Sequence, residues 1–293
     1  MDRYKKALEE SHVPTDREYV AKETAKILEK TNDYASEEVY RLLFSCIDLT
    51  TLSSEDSQES VAAFTRRVND FDNEYLEYPN VAAICVYSNF AEIVAANLEV
   101  TGVDIAVVAG GFPSSQTFTA VKVADVALAV AGGANEVDVV MNLGFLRDGN
   151  YEELTDELIE LKHTAKNALM KVIIETGALR TPEEIKKASV LAMWSEADFI
   201  KTSTGKIYPG ASPEAAWVMC QCIKEYYEKT GRKVGFKAAG GIRSAHDALQ
   251  YYAIVKEVLG DEWLTPEFFR IGASSLANSL LAAMLEEEEV KYF

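Results

Sequence analysis

The pattern of apolar and polar positions changes near residue 44. Before that point, residues 1–43 are charged and carry apolar residues at helical spacing, as in Thr24–Glu29 and Ser36–Leu43. After it, short apolar runs alternate with longer amphipathic stretches. We therefore predict two parts: an N-terminal helical extension over residues 1–43, and a domain over residues 44–293 in which strands alternate with helices.

Eight of the apolar runs are short, as expected for strands that are buried on both faces. They lie at about 44–50, 82–87, 104–109, 136–140, 170–176, 197–201, 234–237 and 268–272. Amphipathic stretches that predict helices follow them, among them 115–131, 151–166, 182–195 and 213–228. Eight strand–helix units favour an α/β fold, the (β/α)8 or TIM barrel. An open doubly wound sheet is the alternative, although no GxGxxG motif follows the first strand.

Composition and charge limit the classes of partner. The 293 residues suit one barrel of about 250 residues with an appendage. The formal net charge of -18 argues against nucleic acid and anionic membrane as partners, and no apolar run approaches the roughly 18 residues of a membrane span. The four cysteines include no CxxC or CxxH pair, so we predict neither a metal site nor disulfides. Reduced thiols favour a cytoplasmic location.

Charged residues interrupt several of the apolar strands. Active sites of barrels lie at the carboxyl ends of the strands, where Lys201 and Lys237 occupy matching positions on strands six and seven. Neighbouring strands lie about 4.8 Å apart, so the two ammonium groups are expected to repel and to lower the pKa of at least one. A neutral lysine is a nucleophile, and Asp138 on strand four is expected to face it and carry protons. Each charge alone also fits a surface position or a core ion pair.

Glycines and serines follow the last three strands. Gly205 comes after strand six, Gly240 and Gly241 after strand seven, and Ser274 and Ser275 after strand eight, where the last helix begins. Glycine lets the backbone approach an anion closely, and a helix N-terminus favours negative charge. The loops after strands seven and eight are the usual phosphate site of a barrel, so we predict a phosphate there. Ordinary tight turns are the alternative interpretation.

Several motifs together carry a resemblance to a known family. They are Ile47–Leu52, Glu136–Val140, Lys171–Gly177, Asp198–Lys206, Gly235–Lys237 and Gly272–Ser275. From about Phe44 to Leu281 the chain resembles deoxyribose-phosphate aldolase, a class I aldolase. The resemblance implies that Lys201 forms a Schiff base and that Lys237 and Asp138 assist proton transfer. It also implies a phosphate site formed by Thr204, Gly205, Lys206, Gly240, Gly241, Ser274 and Ser275.

The resemblance also implies an activity and its partners. The expected reaction is the reversible cleavage of 2-deoxy-D-ribose 5-phosphate to acetaldehyde and D-glyceraldehyde 3-phosphate, with no cofactor and no metal. The partners are then a small phosphosugar and aldehydes, and a homodimer is expected because related enzymes commonly form one. Another class I aldolase acting on a different phosphosugar, or a phosphosugar-binding barrel without catalysis, are the alternatives.

Some positions depart from the family or have an open role. Ala238 follows Lys237 where the family often has proline, which leaves a backbone dihedral free. Some members use a tyrosine near the C-terminus in proton transfer, and Tyr292 is the candidate counterpart. The further candidates for the site are Asp48, Cys85, Lys171 and Arg243.

Overall fold

Eight parallel strands close into a barrel in chain order. A computed structural model describes residues 3–293, without the side chain of Arg3, so residues 1–2 of the predicted extension lie outside it. The first strand pairs with both the second and the eighth, which closes the barrel. The predicted (β/α)8 barrel is therefore confirmed, and the open sheet is wrong. The strands are β1 (Ile47–Thr50), β2 (Ala83–Tyr87), β3 (Asp104–Ala109), β4 (Glu136–Val140), β5 (Leu169–Ile173), β6 (Phe199–Lys201), β7 (Gly235–Ala239) and β8 (Phe269–Ala273).

Helices surround the barrel and also precede it. Three of them come before the first strand: α1 (Arg3–Glu9), α2 (Arg17–Leu28) and α3 (Glu37–Ser45). The others follow the strands: α4 (Gln58–Glu74), α5 (Ala91–Asn97), α6 (Thr119–Ala131), α7 (Leu143–Asp148), α8 (Tyr151–Ala165), α9 (Pro182–Trp194), α10 (Pro213–Thr230), α11 (Ala245–Val258) and α12 (Leu276–Leu285). Short 3-10 turns connect some of these elements, and the short helix α7 was not predicted from the sequence.

The first strand starts later than its apolar run predicts. Phe44 belongs to helix α3, which begins after Ser36 with the serine hydroxyl accepting a hydrogen bond from the backbone of Val39. The ring of Phe44 stacks on Phe71 of α4 with centroids 5.1 Å apart, so its apolar character serves helix packing. The predicted boundary at residues 43 and 44 therefore falls inside a helix, and the division into two parts stays a prediction.

The N-terminal segment packs on the outer helices of the barrel. The Glu225 carboxylate of α10 accepts hydrogen bonds from the Ser11 hydroxyl and the His12 backbone N–H, both at 2.7 Å. Lys30 pairs with Glu257 of α11 at 2.6 Å. These contacts fix the extension along one side of the helical layer that encloses the strands.

The strand register sets the chemistry of the barrel interior. Lys201 of β6 lies opposite Lys237 of β7, which in turn lies opposite Arg270 of β8. On the other side, Asp138 of β4 lies opposite Lys171 of β5. Side chains alternate between the two faces of a strand, so residues in register point to the same face. The barrel therefore gathers charged groups inside while its outer face packs against helices.

Candidate active site

Lys201 is the last residue of β6 and its amine lies inside the barrel mouth. The residue is 4% exposed, and its Nζ is 2.7 Å from Oδ2 of Asp138. Burial lowers the pKa of Lys201 because it disfavours the charged amine. Asp138 opposes this change and the nearby Lys237 adds to it, and the net result is a lowered pKa. Burial therefore lowers the pKa of Lys201 more than Lys237 does, although the sequence analysis relied on the neighbouring lysine.

Lys237 shares the same carboxylate but has the opposite tendency. Its Nζ is 2.6 Å from Oδ2 of Asp138 and also pairs with Asp48. Burial alone would lower the pKa of Lys237, but these two carboxylates outweigh it, so the pKa is raised. The structure therefore differentiates two adjacent lysines: the pKa of Lys201 is lowered and that of Lys237 is raised, so Lys201 gives up its proton more readily than Lys237.

The ends of β6 and β7 are tied together just beyond the two lysines. The hydroxyl of Thr202 donates to the carbonyl of Ala239 at 3.1 Å and accepts from its N–H at 3.0 Å. The backbone N–H of Thr202 also donates to the carbonyl of Lys237 at 3.0 Å. Lys237 is thus held in register with Lys201 although Ala238 takes the place of a proline.

Asp138 is the common partner of the buried lysines. Its carboxylate lies 2.6 Å from Lys237, 2.7 Å from Lys201 and 3.1 Å from Lys171. Burial by itself raises the pKa of Asp138, but the lysines outweigh it and hold that pKa well below its usual range. An ionised carboxylate that contacts both amines is placed to pass a proton from one amine to the other, or between an amine and a water molecule.

The further candidates from the barrel interior join the same cluster. Asp48 contacts Lys171 at 3.2 Å as well as Lys237, and both Asp48 and Lys171 are fully buried. Cys85 lies in an apolar group with Leu52 and Val108, close enough to Lys237 and Asp138 to feel their charges. Burial raises the pKa of its thiol, so Cys85 is uncharged at neutral pH.

Two charged residues of the interior were missed by the sequence reasoning. Glu136 and Arg270 stand within apolar runs, and both are at least 97% buried. The signal was available, because Glu136 lies two residues before Asp138 and therefore faces the same side of β4. Arg270 of β8 likewise lies in register with Lys237 of β7, so its side chain points to the same face of the sheet.

A cavity of about 430 Å³ opens at the carboxyl ends of the strands beside Lys201. It collects residues from the loops after β1, β6, β7 and β8. All seven of the predicted phosphate residues line it, and Arg243 does so as well: Thr204, Gly205, Lys206, Gly240, Gly241, Arg243, Ser274 and Ser275. The structure therefore brings together the lysine and the predicted phosphate loops in one space.

Close backbone contacts shape this cavity. Gly240 has a φ of +87°, and a Cβ there would lie 2.9 Å from the Cα of Gly210. The carboxylate of Glu175 accepts hydrogen bonds from the N–H of Thr204 at 3.1 Å and from its hydroxyl at 2.6 Å. Lys206 donates from its amine to the carbonyl of Leu52, which joins the loops after β6 and β1.

The N-terminus of α12 points its partial positive charge toward the same region. Ser274 and Ser275 precede this helix, and the side chain of Ser275 makes no capping hydrogen bond. Both serines line the cavity, so the helix end, Lys206 and Arg243 supply the positive groups around it. These are the features that an anionic group of a ligand requires.

Tyr292 lies on the outer helices and does not line the cavity beside Lys201, so its part in proton transfer stays a prediction. Its hydroxyl donates to the carbonyl of Arg67 at 3.3 Å, and its ring packs against Phe71 and Tyr75 with centroids 5.5 Å away. Asn278 accepts from the backbone N–H of Tyr292 at 2.9 Å. The chain end is therefore fixed on the outer helices by aromatic packing and hydrogen bonds.

Two kinds of feature are absent from the residues that the structure describes. Within residues 3–293 no helix is long and apolar enough to cross a membrane. The same stretch brings together no group of three or more His, Cys, Asp or Glu side chains suited to hold a metal ion.

A barrel with a buried lysine of lowered pKa beside a cavity lined by positive groups is typical of enzymes that attack the carbonyl group of a phosphorylated substrate. The chain belongs to the DeoC/LacD family of aldolases, which it matches over residues 43–281. The resemblance noted in the sequence is thereby confirmed.

Named relatives and a solved structure agree with this family. The chain is 42% identical to deoxyribose-phosphate aldolase of Homo sapiens over 245 residues, which cover 80% of this chain and 77% of that protein. It is also 42% identical to the Bos taurus deoxyribose-phosphate aldolase over 243 residues, 79% of this chain and 76% of the relative. The tetrameric deoxyribose phosphate aldolase of Aeropyrum pernix is similar with a TM-score of 0.69 and 26% identity, covering 87% of this chain and 96% of that one.

Proposed function

We propose that this chain catalyses the reversible aldol cleavage of 2-deoxy-D-ribose 5-phosphate to acetaldehyde and D-glyceraldehyde 3-phosphate through a Schiff base on Lys201. The observation that carries the proposal is that the amines of Lys201 and Lys237 both contact the carboxylate of Asp138. Lys201 and Lys237 lie 2.7 and 2.6 Å from one carboxylate oxygen, and their pKa values shift in opposite directions. Family membership supports the reaction class, and the names of the relatives support the substrate.

The first half of the reaction forms the covalent intermediate. The neutral amine of Lys201 attacks the C1 aldehyde of the open-chain sugar and gives a carbinolamine. Loss of water, which requires a proton on the leaving hydroxyl, produces an iminium ion. Charged Lys237 is the group placed to supply this proton, and Asp138 is placed to return one to it.

The second half breaks the carbon–carbon bond. A base, Asp138 acting through water, removes the proton of the C3 hydroxyl. The C3 oxygen becomes the aldehyde of D-glyceraldehyde 3-phosphate as the C2–C3 electron pair moves into the iminium. The enamine left on Lys201 takes a proton at C2, and water hydrolyses the resulting iminium to acetaldehyde and the free amine. The iminium accepts the electrons, so the cleavage needs neither metal nor cofactor.

The phosphate end of the substrate lies in the cavity described above. The cavity extends from Lys201 to Gly240, Gly241 and the start of α12. Lys206 and Arg243 offset the phosphate charge in a protein whose formal net charge is -18. Binding at this end holds C1 against the amine of Lys201.

The choice of donor separates this function from its rivals. With D-glyceraldehyde 3-phosphate as acceptor, acetaldehyde is expected to give 2-deoxy-D-ribose 5-phosphate, while dihydroxyacetone phosphate gives no product. Turnover only with dihydroxyacetone phosphate would assign a different class I aldolase. Binding of 2-deoxy-D-ribose 5-phosphate without either reaction would identify a binding barrel. Lys201→Met, which keeps the side-chain length without the amine, is the matched control.

The cellular setting is also part of the proposal. The cysteine pattern favours a cytoplasmic enzyme. The proposed reaction places the enzyme in deoxyribonucleoside catabolism, which yields the phosphorylated sugar as substrate. A homodimer stays a prediction, and the Aeropyrum pernix relative is described as a tetramer.

A further inference from the structure

Glu136 and Arg270 form an ion pair deep in the barrel, away from the cavity. The guanidinium binds the carboxylate of Glu136 with two nitrogens, at 2.9 and 3.2 Å, and it binds Asp48 at 2.7 Å. Glu136 is 1% exposed and Arg270 is 3% exposed, and neither lines the cavity beside Lys201. The proposed reaction uses neither residue directly.

A continuous series of contacts connects this pair to Lys201. Glu136 pairs with Lys171, and Lys171 lies 3.1 Å from Asp138. Asp138 lies 2.7 Å from Lys201. Water does not screen these contacts because all of the side chains are buried, so a change of charge at Glu136 or Arg270 acts on Lys201.

The charges that face Lys201 balance only when Lys201 is neutral. Apart from Lys201 itself, three carboxylates and three cations form this connected network, and the groups come from five strands: Asp48, Glu136, Asp138, Lys171, Lys237 and Arg270. The thiol of Cys85 from β2 is uncharged. Asp104 of β3 lies 3.6 Å from Arg270, but its side chain is 38% exposed and solvent screens its charge. Lys206 and Arg243 lie at the solvated cavity.

We propose that Glu136 and Arg270 set the charge balance of the barrel interior and thereby fix the pH above which Lys201 acts as a nucleophile. They are positioning residues for the charge state of Lys201, acting through Lys171, Asp48 and Asp138. The inference deepens the proposed function and rests on it, because it concerns the same amine.

The two residues act with opposite sign. Burial raises the pKa of Glu136, but its carboxylate contacts two nitrogens of Arg270 and the amine of Lys171, which are the partners of an ionised carboxylate. Glu136→Gln removes this negative charge and keeps the shape, so Lys201 loses its proton at a lower pH. Arg270→Met removes a positive charge, so Lys201 keeps its proton to a higher pH. One charge about 10 Å away at an effective dielectric constant of about 20 changes a pKa by about one unit. We therefore expect shifts of about one pH unit, downward for Glu136→Gln and upward for Arg270→Met.

The test measures the titration of Lys201 without substrate. Acetic anhydride labels neutral amines, and the yield on the peptide that contains Lys201 is followed from pH 5 to pH 10. The double variant Glu136→Gln with Arg270→Met removes one charge of each sign and is expected to titrate closer to the unchanged chain than either single variant does. Two single variants that shift in the same direction, or not at all, would overturn the proposal.

Folding of the variants needs its own control. Circular dichroism identifies variants that lose the fold, and Arg270→Lys keeps the charge and is expected to leave the titration unchanged. Should Arg270→Met not fold, Glu136→Gln decides: a downward shift supports the proposal, and an unchanged titration overturns it.

Failure of this inference differs from failure of the proposed function. Borohydride reduction of the unchanged chain with 2-deoxy-D-ribose 5-phosphate tests the nucleophile itself. An adduct on Lys201 together with unshifted variants rejects only the charge balance. No adduct on Lys201 rejects the Schiff-base function and with it the claim about the nucleophile, whatever the labelling shows.

Discussion

Replacing Lys237 by methionine tests whether the second lysine controls the first. Methionine has a similar length and is apolar, so Lys237→Met removes the charge and leaves the packing nearly intact. In the native structure both amines contact the same oxygen of Asp138. Without Lys237, the carboxylate keeps only Lys201 and Lys171 as partners and stabilises the protonated form of Lys201 more strongly. The pKa of Lys201 is therefore expected to rise.

The geometry gives the size of the effect. The two amines lie 2.7 and 2.6 Å from one oxygen, which places them no more than about 5 Å apart. Two unit charges at about 5 Å and an effective dielectric constant of about 20 interact by about 3 kcal/mol, or about two pKa units. The pH at half-maximal adduct formation is expected to increase by about two units.

The assay is borohydride trapping of the adduct as a function of pH. Lys122→Met is the matched control, since Lys122 is another fully buried lysine and pairs with Glu157 at 2.7 Å outside the site. Breaking a buried pair costs about 3–5 kcal/mol, so both variants lose stability, as urea unfolding would report. Only Lys237→Met should move the pH profile. An unchanged profile in that variant, or an equal change in Lys122→Met, would refute the reasoning.

Three further predictions follow from single contacts. Gly240→Ala places a Cβ 2.9 Å from the Cα of Gly210 at a φ of +87°, so we expect a loss of about 1–3 kcal/mol in urea unfolding and a KM that rises more than kcat falls. Tyr292→Phe removes only a hydrogen bond to Arg67, so kcat should change less than twofold; a large loss would return the tyrosine to the site. Burial raises the pKa of Asp48, but adjacent cations outweigh it and hold that pKa well below 3.8. Below about pH 4 the unfolded carboxylate binds a proton that the folded one does not, so the free energy of unfolding should fall there with decreasing pH, and less steeply in Asp48→Asn.

The sequence predicted the barrel because its strands and helices alternate at a regular count. The same regularity placed Lys201 and Lys237 at equal positions along adjacent strands, and their observed register agrees. The seven residues predicted to bind phosphate follow the strands whose loops form the cavity. These predictions depend on local patterns and on the closed geometry of the fold, which leaves few alternative arrangements.

Other features depend on packing that a single sequence does not reveal. Glu136 and Arg270 were missed because each stands within an apolar run. Their ion pair cannot be recognised from either run alone, since the two residues lie 134 positions apart in the sequence. Phe44 looked like the start of a strand because an apolar residue serves a helix equally well. Tyr292 was assigned by position alone, and its ring found apolar partners on the outer helices.

The identity of the nucleophile is the central claim, and peptide mapping after borohydride reduction tests it most directly. The chain is incubated with 2-deoxy-D-ribose 5-phosphate, reduced and digested, and the modified residue is found by mass spectrometry. We expect one stable adduct, on Lys201, which is absent in Lys201→Met and retained in Lys122→Met. An adduct on Lys237, on another lysine or on none would contradict the account.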